Sequence, residues 1–220
     1  MTGDDDRRSY ASPPCFLHEL SAEEGGVPGA VDAVQARDVA RWRKAERARL
    51  LAERAALSVS ERKAAAETVA RHLDGLLGDI CGKAISAWWP IQSELDLRFW
   101  LASLDARGAS AALPLVTEKH APLRFRIWTA DAKMERGFWN IPVPAAGDWV
   151  TPDIALAPLV GFDAAGYRLG YGGGYFDRTL AANPGIHAIG IGLSAARLET
   201  IFPQAHDIRM RAIVTENGIA

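Results

Sequence analysis

Ile154-Ala155-Leu156-Ala157-Pro158-Leu159-Val160-Gly161-Phe162, followed by Asp163-Ala164-Ala165-Gly166-Tyr167-Arg168-Leu169-Gly170-Tyr171-Gly172-Gly173-Gly174-Tyr175-Phe176-Asp177-Arg178, is the stretch that decides how this chain folds. Its first part is a continuous apolar run, the pattern of a strand buried on both faces of a parallel sheet. Asp163–Gly166 reads as a turn. Four glycines in the five positions 170–174 then lead into a helix expected near Tyr175–Ala182. Glycine reaches positive φ at little cost and lets a ligand approach the backbone closely. Successive N–H groups can converge there on an anion, helped by the positive end of the helix that follows. Taken alone, such a loop is either a tight structural turn or an anion site.

Neither common phosphate motif fits. A Walker loop needs Gly-Lys-Ser/Thr after its spacer, and a dinucleotide fingerprint needs a sixth-position glycine where this chain has Tyr175. The flanks favour an anion all the same. Arg168 adds a planar cation suited to phosphate oxygens. Tyr171 and Tyr175 offer ring faces and hydroxyls. Asp177 offers an oxygen to Mg²⁺, or is an ordinary first-turn acid stabilised by the helix dipole.

Working outward, Ile186–Ile191 reads as a further buried strand and Ala212–Thr215 as a short final one. Toward the N-terminus, Arg37–Leu57 is rich in Ala, Arg and Glu and lacks Gly and Pro, which predicts helix. Ser58-Val59-Ser60-Glu61 predicts a capping box opening a second helix, with Val69, Leu73, Leu76 and Leu77 on one face. The first strand is expected at Lys83–Trp89, ended by Pro90. Ser93 is expected to cap a helix carrying Leu97, Trp100, Leu101 and Leu104. Ala111–Val116 and Arg124–Trp128 read as strands. Gly137–Pro144 reads as irregular, with Trp139 and two prolines forming a rigid wall. Strands alternating with helices predict a layered α/β fold around a largely parallel sheet.

Residues 1–36 mix acids with Gly, Pro and Ser and read as an irregular acidic arm; residues 37–220 read as one α/β domain. The 220 residues are 49% apolar and 24% charged, enough to bury a full core without a disulfide or metal staple. The net charge of −2 argues against a nucleic-acid binder. Charge is uneven: residues 1–36 carry seven acids and two bases, residues 37–72 ten bases and five acids. Such a cationic helical segment is either a solvated face or a meeting place for a polyanion. Cys15 and Cys81 form neither a disulfide framework nor a zinc pattern. No apolar run reaches the roughly 18–20 residues of a membrane span. Asp4-Asp5-Asp6 is the wrong charge for a secretory signal, so the expectation is a cytoplasmic protein with no membrane partner.

Arg168-Leu169-Gly170-x-Gly172-x-Gly174-Tyr175-aromatic-Asp177, after an apolar strand and Phe162-Asp163-x-x-Gly166, closely resembles the signature of the 5-formyltetrahydrofolate cyclo-ligases, or 5,10-methenyltetrahydrofolate synthetases. The resemblance runs in matching order from about Arg43 to Glu216 and leaves residues 1–36 aside. It implies a three-layer α/β/α sandwich around a mostly parallel sheet, NagB/RpiA/CoA-transferase-like. It also implies ATP- and Mg²⁺-dependent conversion of 5-formyltetrahydrofolate to 5,10-methenyltetrahydrofolate, with release of ADP and phosphate. The enzyme is then expected to be a monomer or weak homodimer whose partners are a reduced folate and ATP.

Carried over position by position, the resemblance implies that Arg43, with Lys44 beside it, and Arg47 contact ATP. Arg168, Gly170, Gly172, Gly173, Gly174, Tyr175 and Phe176 would contact it as well. Trp88-Trp89-Pro90-Ile91-Gln92-Ser93-Glu94 fits the family's folate-holding segment. It assigns Trp89, Glu94 and Tyr171 to the substrate, together with Gly172, Gly173, Gly174 and Tyr175. Arg168 and Tyr175 are the implied catalytic groups and Asp177 the implied metal ligand. Read without the family, Glu94 is a first-turn helix acid and Trp89 a core residue.

His206-Asp207 and Val214-Thr215-Glu216 also fit. The chain departs from the family at Gly173, where some members carry lysine, and at Phe176, which replaces a second tyrosine. It departs also at Val143, in place of a glutamate, and at Arg211, in place of an aspartate. These departures keep two alternatives open: a divergent paralogue using ATP on another N-formyl or carboxylate compound, and a non-catalytic folate-binding protein.

Overall fold

A computed structural model describes residues 33–220. The chain divides into two compact units, Met1–Arg49 and Leu50–Ala220. Helix α1 (Ala33–Ala56) begins in the first unit, four residues ahead of the predicted start, and its last turns open the second. The irregular arm expected at 1–36 lies, as far as residue 32, outside the described residues.

In the second unit α2 (Val59–Leu77) begins at the predicted capping box. The Ser58 hydroxyl accepts the Glu61 N–H at 3.2 Å, and the Ser58 N–H donates to the Glu61 carboxylate at 2.7 Å. Then follow β1 (Ala84–Ser86), α3 (Arg98–Ala102), β2 (Ser110–Leu115), β3 (Arg124–Ile127), β4 (Met134–Arg136), β5 (Pro142–Pro144), β6 (Trp149–Val150) and β7 (Ile154–Pro158). The rest of the chain supplies β8 (Gly161–Asp163), β9 (Arg168–Leu169), α4 (Tyr175–Ala182), β10 (His187–Ile191), β11 (Arg197–Leu198), β12 (Ala212–Thr215) and β13 (Gly218–Ile219).

The main sheet runs β13-β12-β10-β7-β1-β2-β3-β6. From β12 to β2 every neighbouring pair is parallel, and the pairs at either edge are antiparallel. Because strand side chains alternate, the sheet sorts its residues onto two faces. Ile85, Leu113, Ile154, Leu156, Ile191 and Val214 share one face with Val69 and Leu73 of α2 and Trp100 and Leu101 of α3. Ala112, Ala155, Ala157, Ala188 and Ile213 share the other with Leu180 of α4. Two apolar faces covered by helices make the expected α/β/α sandwich.

Three local expectations change. The apolar run Ile154–Phe162 is not one strand. Pro158 ends β7, Leu159 donates its N–H to Ile191 at 3.1 Å, and Val160 donates to Leu169 at 2.8 Å. Pro158 still pairs with Ile191 of β10, and the chain leaves the main sheet just after it and enters a second one, β11-β8-β9. Gly137–Pro144 is not wholly irregular, since β4 and β5 pair antiparallel across a short helical turn at Phe138–Asn140. Ser93 does not cap α3: with φ values of 45° and 62°, Gln92 and Ser93 form a left-handed turn, and Leu97 holds the cap position. Past that turn Glu94 is buried, its carboxylate folded back onto the Ile91 N–H. Among the described residues no helix is long and apolar enough to cross a membrane.

Candidate active site

In open α/β sheets ligands bind beyond the carboxyl ends of the strands, where the strand order reverses. Here the reversal lies between β1 and β7, the strands from which the chain proceeds to opposite edges. A cavity of about 210 Å³ opens at that point, with Trp88, Glu94, Pro158, Leu159 and Ile191 among its walls and Arg54 of α1 along one side. It is smaller than the roughly 300 Å³ at which small-molecule pockets usually begin, so it suits one ring system and not a long ligand.

Glu94 is 7% exposed. One carboxylate oxygen accepts the Ile91 N–H at 2.9 Å and the other accepts the Tyr171 hydroxyl at 2.9 Å. Arg54, buried at 8%, donates to that hydroxyl, to the Gln92 carbonyl at 3.1 Å and to the Leu159 carbonyl at 3.3 Å. Its guanidinium carbon lies 5.8 Å from the centre of the Tyr171 ring. Burial pushes the Glu94 carboxyl above its ordinary range, against the bonds from Ile91 and Tyr171 and the charge of Arg54. Burial and then the Glu94 charge push the Tyr171 phenol up as well, so this hydroxyl stays protonated and donates. The N–H of Arg54 Nε is buried with no partner, and the indole N–H of Trp88, although it makes no well-formed hydrogen bond, lies close enough to Glu94 to favour the charged carboxylate.

The Gly-rich loop lies between β9 and α4. Among the described residues the N–H groups of Tyr171, Gly172, Gly173 and Gly174 donate no hydrogen bond. Gly174 caps α4 at φ 64°, a left-handed position, with no side-chain cap hydrogen bond, and the Arg178 guanidinium lies against it and donates to the Gly173 carbonyl. At Gly170 a Cβ would lie 2.5 Å from Nη1 of Arg168, so glycine is required by close approach. Main-chain donors free of internal partners at a helix N-terminus suit an anion.

Arg168 is not an open clamp. It lies beneath the loop, its side chain 6% exposed, and donates to Asp177 at 2.9 Å, with the Phe176 ring 5.3 Å away. Burial pushes this guanidinium down, while the charges of Asp177 and Asp207 oppose that shift. The second Asp177 oxygen accepts the Ile208 N–H at 3.2 Å. Both Asp177 oxygens are thus engaged within the protein, one by Arg168 and one by the Ile208 main chain. The carboxylate predicted as a metal ligand is the partner of a buried cation.

Tyr175 stands on the far side of the loop, its ring edge-on to Trp139 at 5.4 Å, with Arg178 5.0 Å from its centre. Trp139 is 63% exposed at φ 52°, a conformation that costs a bulky residue on the order of 1–3 kcal/mol. The tryptophan that lines the cavity is Trp88. Trp89, expected there, packs under Arg98, whose guanidinium carbon is 4.4 Å from its ring centre. Sequence reasoning missed Arg54, because an arginine on a cationic helix carries no local mark of burial. Of the predicted cations, Arg43, Lys44 and Arg47 lie on the part of α1 in the first unit. Arg43 is buried, Arg47 half-buried one turn on, and Lys44 exposed. Arg211 and Val143 contribute nothing to the cavity lining.

A family model for the 5-formyltetrahydrofolate cyclo-ligase family matches residues 39–216. A 5-formyltetrahydrofolate cyclo-ligase of Haemophilus influenzae is 28% identical over 164 residues, covering 70% of this chain and 87% of its own length. Its counterpart in Mycolicibacterium smegmatis is 28% identical over 182 residues, covering 77% and 91%. Among solved structures, the 5,10-methenyltetrahydrofolate synthetase of Aquifex aeolicus superposes with a TM-score of 0.70 at 29% identity, covering 80% of this chain and 91% of that one. The synthetase of Mycoplasma pneumoniae superposes with a TM-score of 0.64 at 24% identity, a likeness of fold.

Proposed function

From the premise that this chain belongs to the 5-formyltetrahydrofolate cyclo-ligase family, we propose that it converts 5-formyltetrahydrofolate and ATP to 5,10-methenyltetrahydrofolate, ADP and phosphate. The N-formyl oxygen is amide-like and leaves poorly as water. Transfer of the γ-phosphoryl group to that oxygen makes a good leaving group; N10 then attacks the formyl carbon and phosphate departs. Little covalent chemistry falls to the protein, which aligns the two substrates and meets the developing charge.

The observation that carries this reading is the reach of Tyr171. It belongs to the anion-suited loop, and its hydroxyl bonds Glu94 at the cavity wall, so the two halves of the reaction are one side chain apart. Glu94 is assigned to N–H donors of the pterin, to which an ionised carboxylate is a good acceptor. Trp88 is the flat apolar wall for the ring. The N–H groups of 171–174 are assigned to the polyphosphate, with Arg168 as a fixed positive charge below. Tyr175 and Phe176 belong to the nucleotide side, and Trp139 extends that aromatic surface. Arg43 and Arg47 keep their assignment to nucleotide phosphates, while the exposure of Lys44 makes it the weakest of the three. ATP enters as its magnesium complex, so the ion arrives with the substrate and Asp177 serves Arg168.

The test is to mix purified protein with 5-formyltetrahydrofolate and MgATP and follow methenyl absorbance. An ATP-dependent rise is expected. Tight ATP binding with no folate turnover would point to a different N-formyl or carboxylate substrate. Folate binding indifferent to ATP, with no ADP released, would point to a binding protein.

A further inference from the structure

Arg54 has no part in the roles assigned above, yet it touches both halves of the site. It is buried, lines the cavity, and makes three bonds through its two terminal nitrogens. Two of them, to the Gln92 and Leu159 carbonyls, pin the guanidinium in place. The third goes to the Tyr171 hydroxyl. An arginine can only donate, so this bond occupies an acceptor site on the phenol oxygen and leaves the phenol's own hydrogen to be donated elsewhere. The acceptor within reach is Glu94, at 2.9 Å.

We propose that Arg54 is the positioning residue of this cavity: by locking the Tyr171 hydroxyl as a donor toward Glu94, it keeps the Glu94 carboxylate charged and aimed for the N–H groups of a ligand. The alternative proton arrangement is disfavoured. If Glu94 carried a proton and donated it to Tyr171, the phenol oxygen would accept from both Glu94 and Arg54, and its own hydrogen would have to leave the Glu94 carboxylate for another acceptor. Arg54 thus acts on Glu94 twice, through its charge and through the direction it imposes on one hydrogen bond. The other charged group on the lining is Glu53, exposed at the rim. The remaining walls facing Glu94, from β1, β7 and β10 onward, are uncharged: Trp88, Leu95, Leu159, Val160, Ile191 and Leu193. Arg54 is the cation that faces Glu94 among the described residues of this lining.

The inference rests on the folate reading only for its effect on turnover, so its test begins without folate. Protein labelled with ¹³C at the glutamate carboxyls is titrated by NMR, with Glu94→Gln identifying the signal. In Arg54→Gln the Glu94 midpoint should move up by roughly one pH unit or more. Arg54→Lys, which keeps the charge and loses the planar fork, should move it by less. Tyr171→Phe should also raise it, and adding Arg54→Gln to that variant should then move it by less than in the wild-type background. In turnover, the acid limb of kcat/KM for the folate should follow the same displacement, with Arg54→Lys restoring part of it. A merely structural arginine would lower thermal stability and leave the midpoint where it was.

An unchanged Glu94 midpoint in folded Arg54→Gln overturns the proposal. If that variant does not fold, an unchanged midpoint in both Arg54→Lys and Tyr171→Phe overturns it equally. A wild-type protein inactive on 5-formyltetrahydrofolate would remove the functional reading and leave the titration to decide this one.

Discussion

The Gly-rich loop and the Glu94 cavity meet at one residue, Tyr171, yet they are built by opposite means. The loop is local: its glycines, its cap and the helix behind it are consecutive, and what it offers a ligand is main-chain N–H. The cavity is assembled from a distance. Arg54 and Tyr171 are separated by 117 positions, Tyr171 and Glu94 by 77, and Arg54 and Gln92 by 38. What the cavity offers is a side-chain charge held in burial by other side chains. A site made of backbone resists conservative substitution of its neighbours and fails when a Cβ intrudes. A site made of buried charge tolerates changes in shape and fails when one partner is removed.

Substitutions on either side test that division. The largest expected effect is on the loop's foundation. Asp177→Ala leaves the buried Arg168 guanidinium without its carboxylate and should cost about 3–5 kcal/mol in a denaturant melt. It should also raise KM for ATP more than KM for the folate; equal rises would mean that loop and cavity are one cooperative piece. Next, Glu94→Gln should lower kcat/KM for the folate by about 100-fold, the scale of a lost hydrogen bond to a charged group, with nucleotide binding unaffected.

The same variant carries a pH signature. Because burial raises the Glu94 carboxyl above its ordinary 4.5, the native state holds that proton more tightly than the unfolded chain. The group's contribution to stability is therefore complete below that value and is lost as pH rises through the folded one. Thermal melts across the acid-to-neutral range should slope less in Glu94→Gln. A steeper slope would contradict the burial argument.

Smaller effects sharpen the boundary. Gly170→Ala pushes a methyl against Arg168 and should raise KM for ATP by about ten-fold while the folate KM stays put, the size of effect expected from a modest misplacement of binding groups. Smallest is the pair of neighbouring tryptophans. Trp88→Phe should raise the folate KM a few-fold, and Trp89→Phe by less than about two-fold, since an indole under an exposed arginine contributes little to the cavity. The reverse order would put the folate on the Trp89 side.

Parts of this arrangement were legible in the residues and parts were not. The capping box at Ser58–Glu61, helix Tyr175–Ala182 and strand Ala212–Thr215 were readable because each depends on residues within one turn or one strand of each other. The break of the apolar run at Pro158 was not, because a proline at the end of a buried strand has the same hydropathy whether the chain continues or bends into another sheet. Glu94 was visible through the family pattern, but its burial was not, since Gln92 and Ser93 take left-handed conformations that their side chains do not announce. Trp88 and Trp89 were indistinguishable until the strand end decided which one faced the cavity.

By itself the sequence determined the kind of fold, the order of its elements, the family and the loop able to meet an anion. Those follow from short-range periodicity, glycine's freedom and a contiguous motif, all of which survive in one dimension. Only the tertiary structure decided that Asp177 belongs to Arg168, that Trp88 and not Trp89 lines the cavity, and that Arg54 stands behind Tyr171 and Glu94. The reason is physical: burial and the pairing of charges depend on which strands lie side by side, and strand order is settled by the packing of the whole sheet.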